Sequence, residues 1–114
     1  MNDAAEMTVD GRRIALDSDG YLVDASDWNE AVGRALAESS GTTLDENHWW
    51  LIRFIRDHHQ RYGMPPLMRV VIRAMREQTG EHDASSRTLY RLFPDGPIRE
   101  ACRLGGLPRP ESCI

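Results

Sequence analysis

Residues 43–66, TLDENHWWLIRFIRDHHQRYGMPP, decide the fold. Trp50, Leu51, Phe54, Ile55 and Tyr62 recur at helical spacing and give a wide apolar face. Thr43 and Glu46 have the spacing of a capping box, in which each side chain satisfies the other residue's free backbone N–H. Gly63 followed by Pro65-Pro66 stops the helix, because glycine accepts the left-handed turn and proline cannot continue the ladder. The segment predicts a long central helix around which a mainly α bundle forms.

Upstream, Asp27 and Glu30 have capping-box spacing, and Trp28, Val32, Ala35 and Leu36 share a face up to a stop at Gly41. Before that the period drops to two. Thr8-Val9, Asp10-Gly11 and Ile14 to Leu16 read as a hairpin, since Asp-Gly suits a turn with φ > 0 at both central residues. Asp17 to Gly20 then leads to Tyr21-Leu22-Val23, so a small β-hairpin or meander is expected over 6–23. Downstream, Leu67, Val71 and Met75 predict a third helix from about Leu67 to Thr79. Ser85 or Ser86 caps a fourth that carries Leu89, Leu92 and Phe93. Pro97 opens a fifth, where its missing N–H loses nothing, and Ile98, Ala101, Cys102 and Gly105 fall on one side of it. Gly105, Gly106, Pro108 and Pro110 interrupt regular structure, which leaves 106–114 as an irregular, mobile C-terminal arm with little to bury. The expectation is one domain over 1–114: a β-hairpin, a bundle of about five helices over 27–105, and the arm.

A chain of 114 residues buries roughly 65% of its unfolded surface, enough for one core without a metal or a disulfide framework. No apolar run reaches the roughly 18 residues of a membrane span, and Met1 to Glu6 lack a signal's basic flank and apolar core; a cytoplasmic protein with no direct membrane insertion is expected. The charge is −4, and every base is arginine. Residues 1–60 hold 12 acids against 5 arginines, whereas 85–114 hold 3 against 5, so the C-terminal end is the basic one. The acidic total argues against a general affinity for nucleic acid.

Two cysteines, Cys102 and Cys113, are the candidates for chemistry. Their spacing fits neither a zinc site, nor a C-x-x-C redox motif, nor prenylation, which needs the fourth residue from the end. A disulfide between them would close only the tail, worth about 3 kcal/mol, so a redox pair is a better reading than a structural staple. A cysteine on an arm can enter another protein's site, take up sulfur as a persulfide and be released by the second thiol. Arg103 and Arg109 favour the thiolate this needs, and the terminal carboxylate opposes it. On spacing alone, a small core residue at Cys102 and an incidental tail residue at Cys113 stand equally well.

Other features read blandly. His48, His58 and His59 do not share a metal-binding face, and Asp17-Ser18-Asp19-Gly20 lacks the further acids of a calcium loop, so no metal is expected. The third and fourth helices, with Arg87 and Arg91 on the second, offer a helix-turn-helix reading as a DNA-binding module, but the link is long and the chain acidic.

Leu89-Tyr90-Arg91-Leu92-Phe93-Pro94, Gly96-Pro97, Ala101-Cys102, Gly106-Leu107-Pro108-Arg109-Pro110 and Cys113-Ile114 together resemble the C-terminal signature of the DsrC/TusE family of sulfur carriers. The resemblance continues upstream through Gly20-Tyr21-Leu22, Asp27-Trp28, His48-Trp49 and Pro66 to Arg69. It departs from the family pattern at Ala84-Ser85, Asp95, Gly105 and Glu111. The resemblance implies an N-terminal hairpin, about five helices and a mobile arm. It makes Cys113 the sulfur acceptor and Cys102 the resolving thiol that forms a disulfide or trisulfide with it; the basic arm region around Arg99, Arg103 and Arg109 is expected to help dock. It implies a protein cosubstrate rather than an autonomous enzyme, with no bound cofactor, since any sirohaem belongs to a reductase partner. Dissimilatory sulfite reductase and TusBCD/DsrEFH-like relay proteins are the implied partners, and a membrane thiol-disulfide reductase complex is a further candidate. The tRNA-thiouridine branch generally lacks the upstream cysteine, so Cys102 favours the sulfite-reductase branch, with the TusE-type relay as the alternative.

Overall fold

Asp10 and Gly11 carry φ of 51° and 80°, the geometry of a two-residue turn that matches strand twist. They join β1 (Ala5–Val9) to β2 (Arg12–Leu16), paired antiparallel with Met7 opposite Ile14. The structure, a computed structural model, describes residues 5–110. The expected third strand at Tyr21–Val23 is reduced to one bridge, Leu16 to Leu22. The cause is the preceding turn: the Asp17 carboxylate accepts from the Asp19 and Tyr21 N–H groups at 2.9 and 3.0 Å, curling the chain before a ladder can extend.

The helices are α1 (Glu30–Ser39), α2 (Glu46–Tyr62), α3 (Met68–Gln78), α4 (Ser86–Leu92) and α5 (Pro97–Leu104). Five helices, a hairpin and a largely irregular remainder are the expected fold class. Two caps differ from expectation. Ala25–Asp27 forms one turn of 3-10 helix, and α1 is capped by Asn29, whose side chain accepts from the Val32 N–H at 2.9 Å. In α2 the cap is Asp45 rather than Thr43, and its box partner is His48 rather than Glu46. The Asp45 carboxylate accepts from the Asn47 and His48 N–H groups at 2.9 and 3.0 Å, and His48 Nδ1 accepts the Asp45 N–H at 3.1 Å. His48 Nε2, left to donate, meets the Leu92 carbonyl at 2.9 Å and ties α2 to the end of α4. These N–H groups, His48's first, hold the Asp45 carboxyl below the usual carboxylate range.

The buried stripe of α2 is His48, Leu51, Ile52 and Ile55. Trp50 and Phe54 stack on its flank at 5.1 Å, and Tyr62 is exposed, so the apolar face is narrower than the periodicity suggests. On α2 and α1 rests α5, whose Ile98, Ala101, Cys102 and Leu104 close the core. Among the described residues no helix is long and apolar enough to cross a membrane.

The two readings of the α2 start separate in a stability measurement. Asp45→Ala is expected to lower the unfolding free energy by about 1 kcal/mol, the usual worth of such a cap, and the loss should shrink as acid protonates the carboxylate in wild type. Thr43→Ala, at an exposed position without a capping bond, is expected to stay within about 0.5 kcal/mol of wild type by urea titration.

Candidate functional site

Gly96, with φ of 124°, turns the chain into α5, and Pro97 takes the first helical position. That start places Cys102 on the inner face, fully buried. Burial in apolar surroundings pushes its thiol up to about 12, because a thiolate there would lose its hydration without gaining a partner. Cys102 is therefore a thiol in this conformation. Arg103 is engaged within the domain, its guanidinium pairing with Glu100 at 2.9 Å and donating to Ser40 Oγ at 3.0 Å; Cys113, whose thiolate it is expected to favour, lies outside the described residues.

Tyr21 lies buried against this helix, its hydroxyl donating to the Arg99 carbonyl at 3.4 Å. Burial, and after it the neighbouring Cys102 and Glu100, push that hydroxyl up to about 12. Cys102 and Tyr21 are thus two buried, neutral groups beside a charged rim. Arg99, Arg103 and Arg109 do converge: with Asp19, Tyr21, Glu100 and Pro110 they line a depression of about 370 Å³. Arg109 forms an ion pair with Asp19 and stands 5.7 Å from the Tyr21 ring centre, while Arg99 donates to the Asp95 carbonyl. Two of the three arginines are thus matched by carboxylates of the chain itself.

Beyond α5 the chain doubles back. The Leu107 N–H donates to the Cys102 carbonyl at 2.9 Å, Leu107 packs against the core, and Pro110 is buried. Residues 106–110 carry no helix or strand, as expected, but they bury more than expected: they form a strap along α5 on the helix that holds Cys102. Cys113 lies outside the described residues.

Sequence reasoning missed the root of this strap. Trp28 Nε1 donates to the Leu104 carbonyl at 2.7 Å, the Arg56 guanidinium lies 3.8 Å over the indole, and Arg56 also donates to the Gly105 carbonyl. A Cβ on Gly106 would stand 2.7 Å from the Trp28 side chain. The Gly105-Gly106 pair was the available signal, since adjacent glycines mark close approach as well as a break. Nothing in the spacing names the approaching group. Among the described residues no cluster of His, Cys, Asp or Glu is arranged for a metal ion.

Fold and site define a small helical domain with a thiol buried in its last helix and a strap leading from that helix toward a second cysteine. The family model described as DsrC like protein matches residues 8–114. The chain is 44% identical over 108 residues to the sulfurtransferase TusE of Yersinia pseudotuberculosis, covering 95% of this chain and all of that one, and 40% identical over 105 residues to TusE of Escherichia coli K12, covering 92% and 96%. Its structure is similar to the crystal structure of the oxidized gamma-subunit of dissimilatory sulfite reductase, DsrC, from Archaeoglobus fulgidus, with TM-score 0.88 and 36% identity over 96% of this chain and 100% of that one. It is also similar to the NMR structure of DsrC from Allochromatium vinosum, with TM-score 0.83 and 38% identity over 97% and 99%. The chain belongs to the DsrC-like family.

In a Cys113→Ser variant, Cys102 is the remaining thiol. With its pKa about 12, its thiolate fraction at pH 8 is about 10⁻⁴, against roughly one in four for an unhindered cysteine. Alkylation by iodoacetamide is expected to run about 10³-fold slower in the folded protein than in urea. Asp19→Asn, which removes the strap's ion pair, is expected to raise the folded rate; a rate equal to that of the parent would show that the strap does not shield the thiol.

Proposed function

We propose that this chain is a sulfur carrier in which Cys113 accepts sulfur from one partner protein and yields it to another. The observation that carries the reading is the family match running through residue 114, and so through the penultimate cysteine, alongside relatives that are sulfurtransferases and DsrC proteins. In the step proposed, the Cys113 thiolate attacks the outer sulfur of a donor persulfide. A sulfur–sulfur bond forms at Cys113, the donor leaves as a thiolate, and no net oxidation occurs. Attack by an acceptor on that outer sulfur restores the Cys113 thiolate. The partners are other sulfur-relay proteins: for a DsrC-type carrier, dissimilatory sulfite reductase or a DsrEFH-like complex; for a TusE-type relay, a TusBCD-like complex serving tRNA thiouridine.

Cys102 separates the two types. As a resolving thiol it attacks Cys113 Sγ, forms the Cys102–Cys113 disulfide and expels the outer sulfur as hydrosulfide, a step balanced without an added oxidant. Its position on the helix that the strap runs along supports that role. The burial and high pKa of Cys102, with TusE relatives at 40–45% identity, favour a one-thiol relay while the strap stays down. The helix-turn-helix reading gains no support from the relatives, which include TusE sulfurtransferases and DsrC proteins.

Intact mass under non-reducing conditions, before and after exposure to glutathione persulfide, tests this on wild type, Cys102→Ser and Cys113→Ser. Wild type and Cys102→Ser are expected to gain one sulfur and Cys113→Ser none. Subsequent appearance of a species two hydrogens lighter than the starting wild type, absent from both variants, marks the two-thiol carrier. Its absence assigns the one-thiol relay, and loading that ignores Cys113 overturns the carrier reading.

A further inference from the structure

We propose that residues 58–76, the end of α2 and the outer face of α3, form the docking face for a folded partner protein whose surface presents apolar side chains ringed by aspartate and glutamate. The inference rests on the carrier reading and locates the contact that guides Cys113 into a partner.

Four of the six exposed large apolar side chains among the described residues fall within nine positions: Tyr62, Met64, Leu67 and Val70, with Leu67 62% exposed. Large apolar groups gathered on one surface mark a contact rather than chance exposure. The charges within this segment have one sign. Residues 58–76 contain Arg61, Arg69, Arg73 and Arg76 and no aspartate or glutamate, in a chain whose net charge is −4. Arg61 is paired with Asp57 at 3.5 Å, but among the described residues Arg69, Arg73 and Arg76 have no carboxylate within 4.0 Å. At Arg99, Arg103 and Arg109, by contrast, internal carboxylates already answer two of three cations. Beside the exposed apolar cluster, the cations without an internal carboxylate lie on α3.

Position supplies the link to function. Met64, Leu67 and Met68 form one wall of an apolar groove of about 520 Å³, and Ile98, Pro108 and Arg109 form the other, so the face is continuous with the strap. Cys113 is three residues past Pro110, a reach of at most about 10 Å. A protein that takes Cys113 into its site is thereby brought to the edge of this groove. The occupant follows from the chemistry. Met64, Leu67 and Val70 offer nothing to phosphates, which argues against nucleic acid. A second copy using the same face would set arginine against arginine. Carboxylates around an apolar centre satisfy both halves of the surface.

The test uses the relay complex, TusBCD- or DsrEFH-like, that loads Cys113 of the wild type, with Leu67→Glu and Arg69→Glu/Arg73→Glu variants of the full chain. All these side chains are exposed, so circular dichroism and melting should match wild type. Loading from glutathione persulfide is expected to be unchanged in both variants, whereas the Kd for the complex rises at least tenfold and added salt weakens wild type toward the arginine variant. Wild-type Kd in both variants overturns the docking face. Loss in the arginine variant alone, together with a tRNA shift that follows the same residues, assigns the face to nucleic acid; a sedimentation dimer abolished by Leu67→Glu assigns it to a second copy. Either overturns the proposal. Failure of wild type to load from glutathione persulfide instead counts against the carrier reading, a separate outcome.

Discussion

The indole of Trp28 holds together three segments distant in sequence. Its N–H satisfies the Leu104 carbonyl at the end of α5, its face carries the Arg56 guanidinium from α2, and its edge leaves room only for a glycine at position 106. The last carbonyls of a helix have no partner within it, and here Trp28 and Arg56 supply partners for two consecutive ones. Burial lowers the Arg56 pKa, and the indole face and the Gly105 carbonyl, rather than a carboxylate, compensate the desolvated cation. Gly33 belongs to the same constraint, since a Cβ there would stand 3.0 Å from the Leu104 carbonyl oxygen and crowd the indole. The start of the strap is therefore fixed by core packing, and any freedom begins after it.

Most of the fold is legible in the sequence because it follows from period and punctuation. Asp10-Gly11, Gly63 with its following prolines, Ser85 and Pro97 each force a local geometry that neighbours cannot easily override. What misleads is choice among similar candidates. Thr43, Asp45 and Glu46 all suit a helix start, and the choice falls to Asp45 because His48, through Leu92, fixes the register of α2 from outside the helix. At the site, the thiols and their place on helix and arm are legible as residue types, and Cys102 is placed on a buried face by its spacing from Ile98. The surroundings of α5 and the strap are not legible, since Tyr21 comes to Cys102, Asp19 to Arg109 and Trp28 to Leu104 and Gly106 across long sequence separations and no local pattern encodes those meetings.

The arginines show why a charge tally along the chain is a poor guide to a surface. The C-terminal third is the basic end by count, yet the largely buried Arg103 is paired with Glu100 and the exposed Arg109 with Asp19. These pairs organise the depression beside Tyr21 rather than project charge. On α3, Arg69 and Arg73 are one helical turn apart with Val70 between them on the exposed side, and no acid on that helix precedes Glu77. The fold has separated cations matched by carboxylates of the chain from cations that are not.

The strap and the helix it lies along are held with different strength. Residues 107–110 are held by one backbone hydrogen bond, worth about 1 kcal/mol net, an exposed ion pair worth up to about 1 kcal/mol, and a weak cation–π contact of about 0.5 kcal/mol, besides the partial burial of Leu107 and Pro110. A few kcal/mol in total correspond to an open population on the order of 10⁻² to 10⁻³, within what partner binding readily supplies. Opening α5 itself would expose Ile98, Ala101 and Leu104 and break the Trp28 junction, a cost comparable to unfolding the domain. Two tiers result. The strap can lift while the helix stays, and the resolving role proposed for Cys102 requires access to its buried thiol rather than a tuned thiolate.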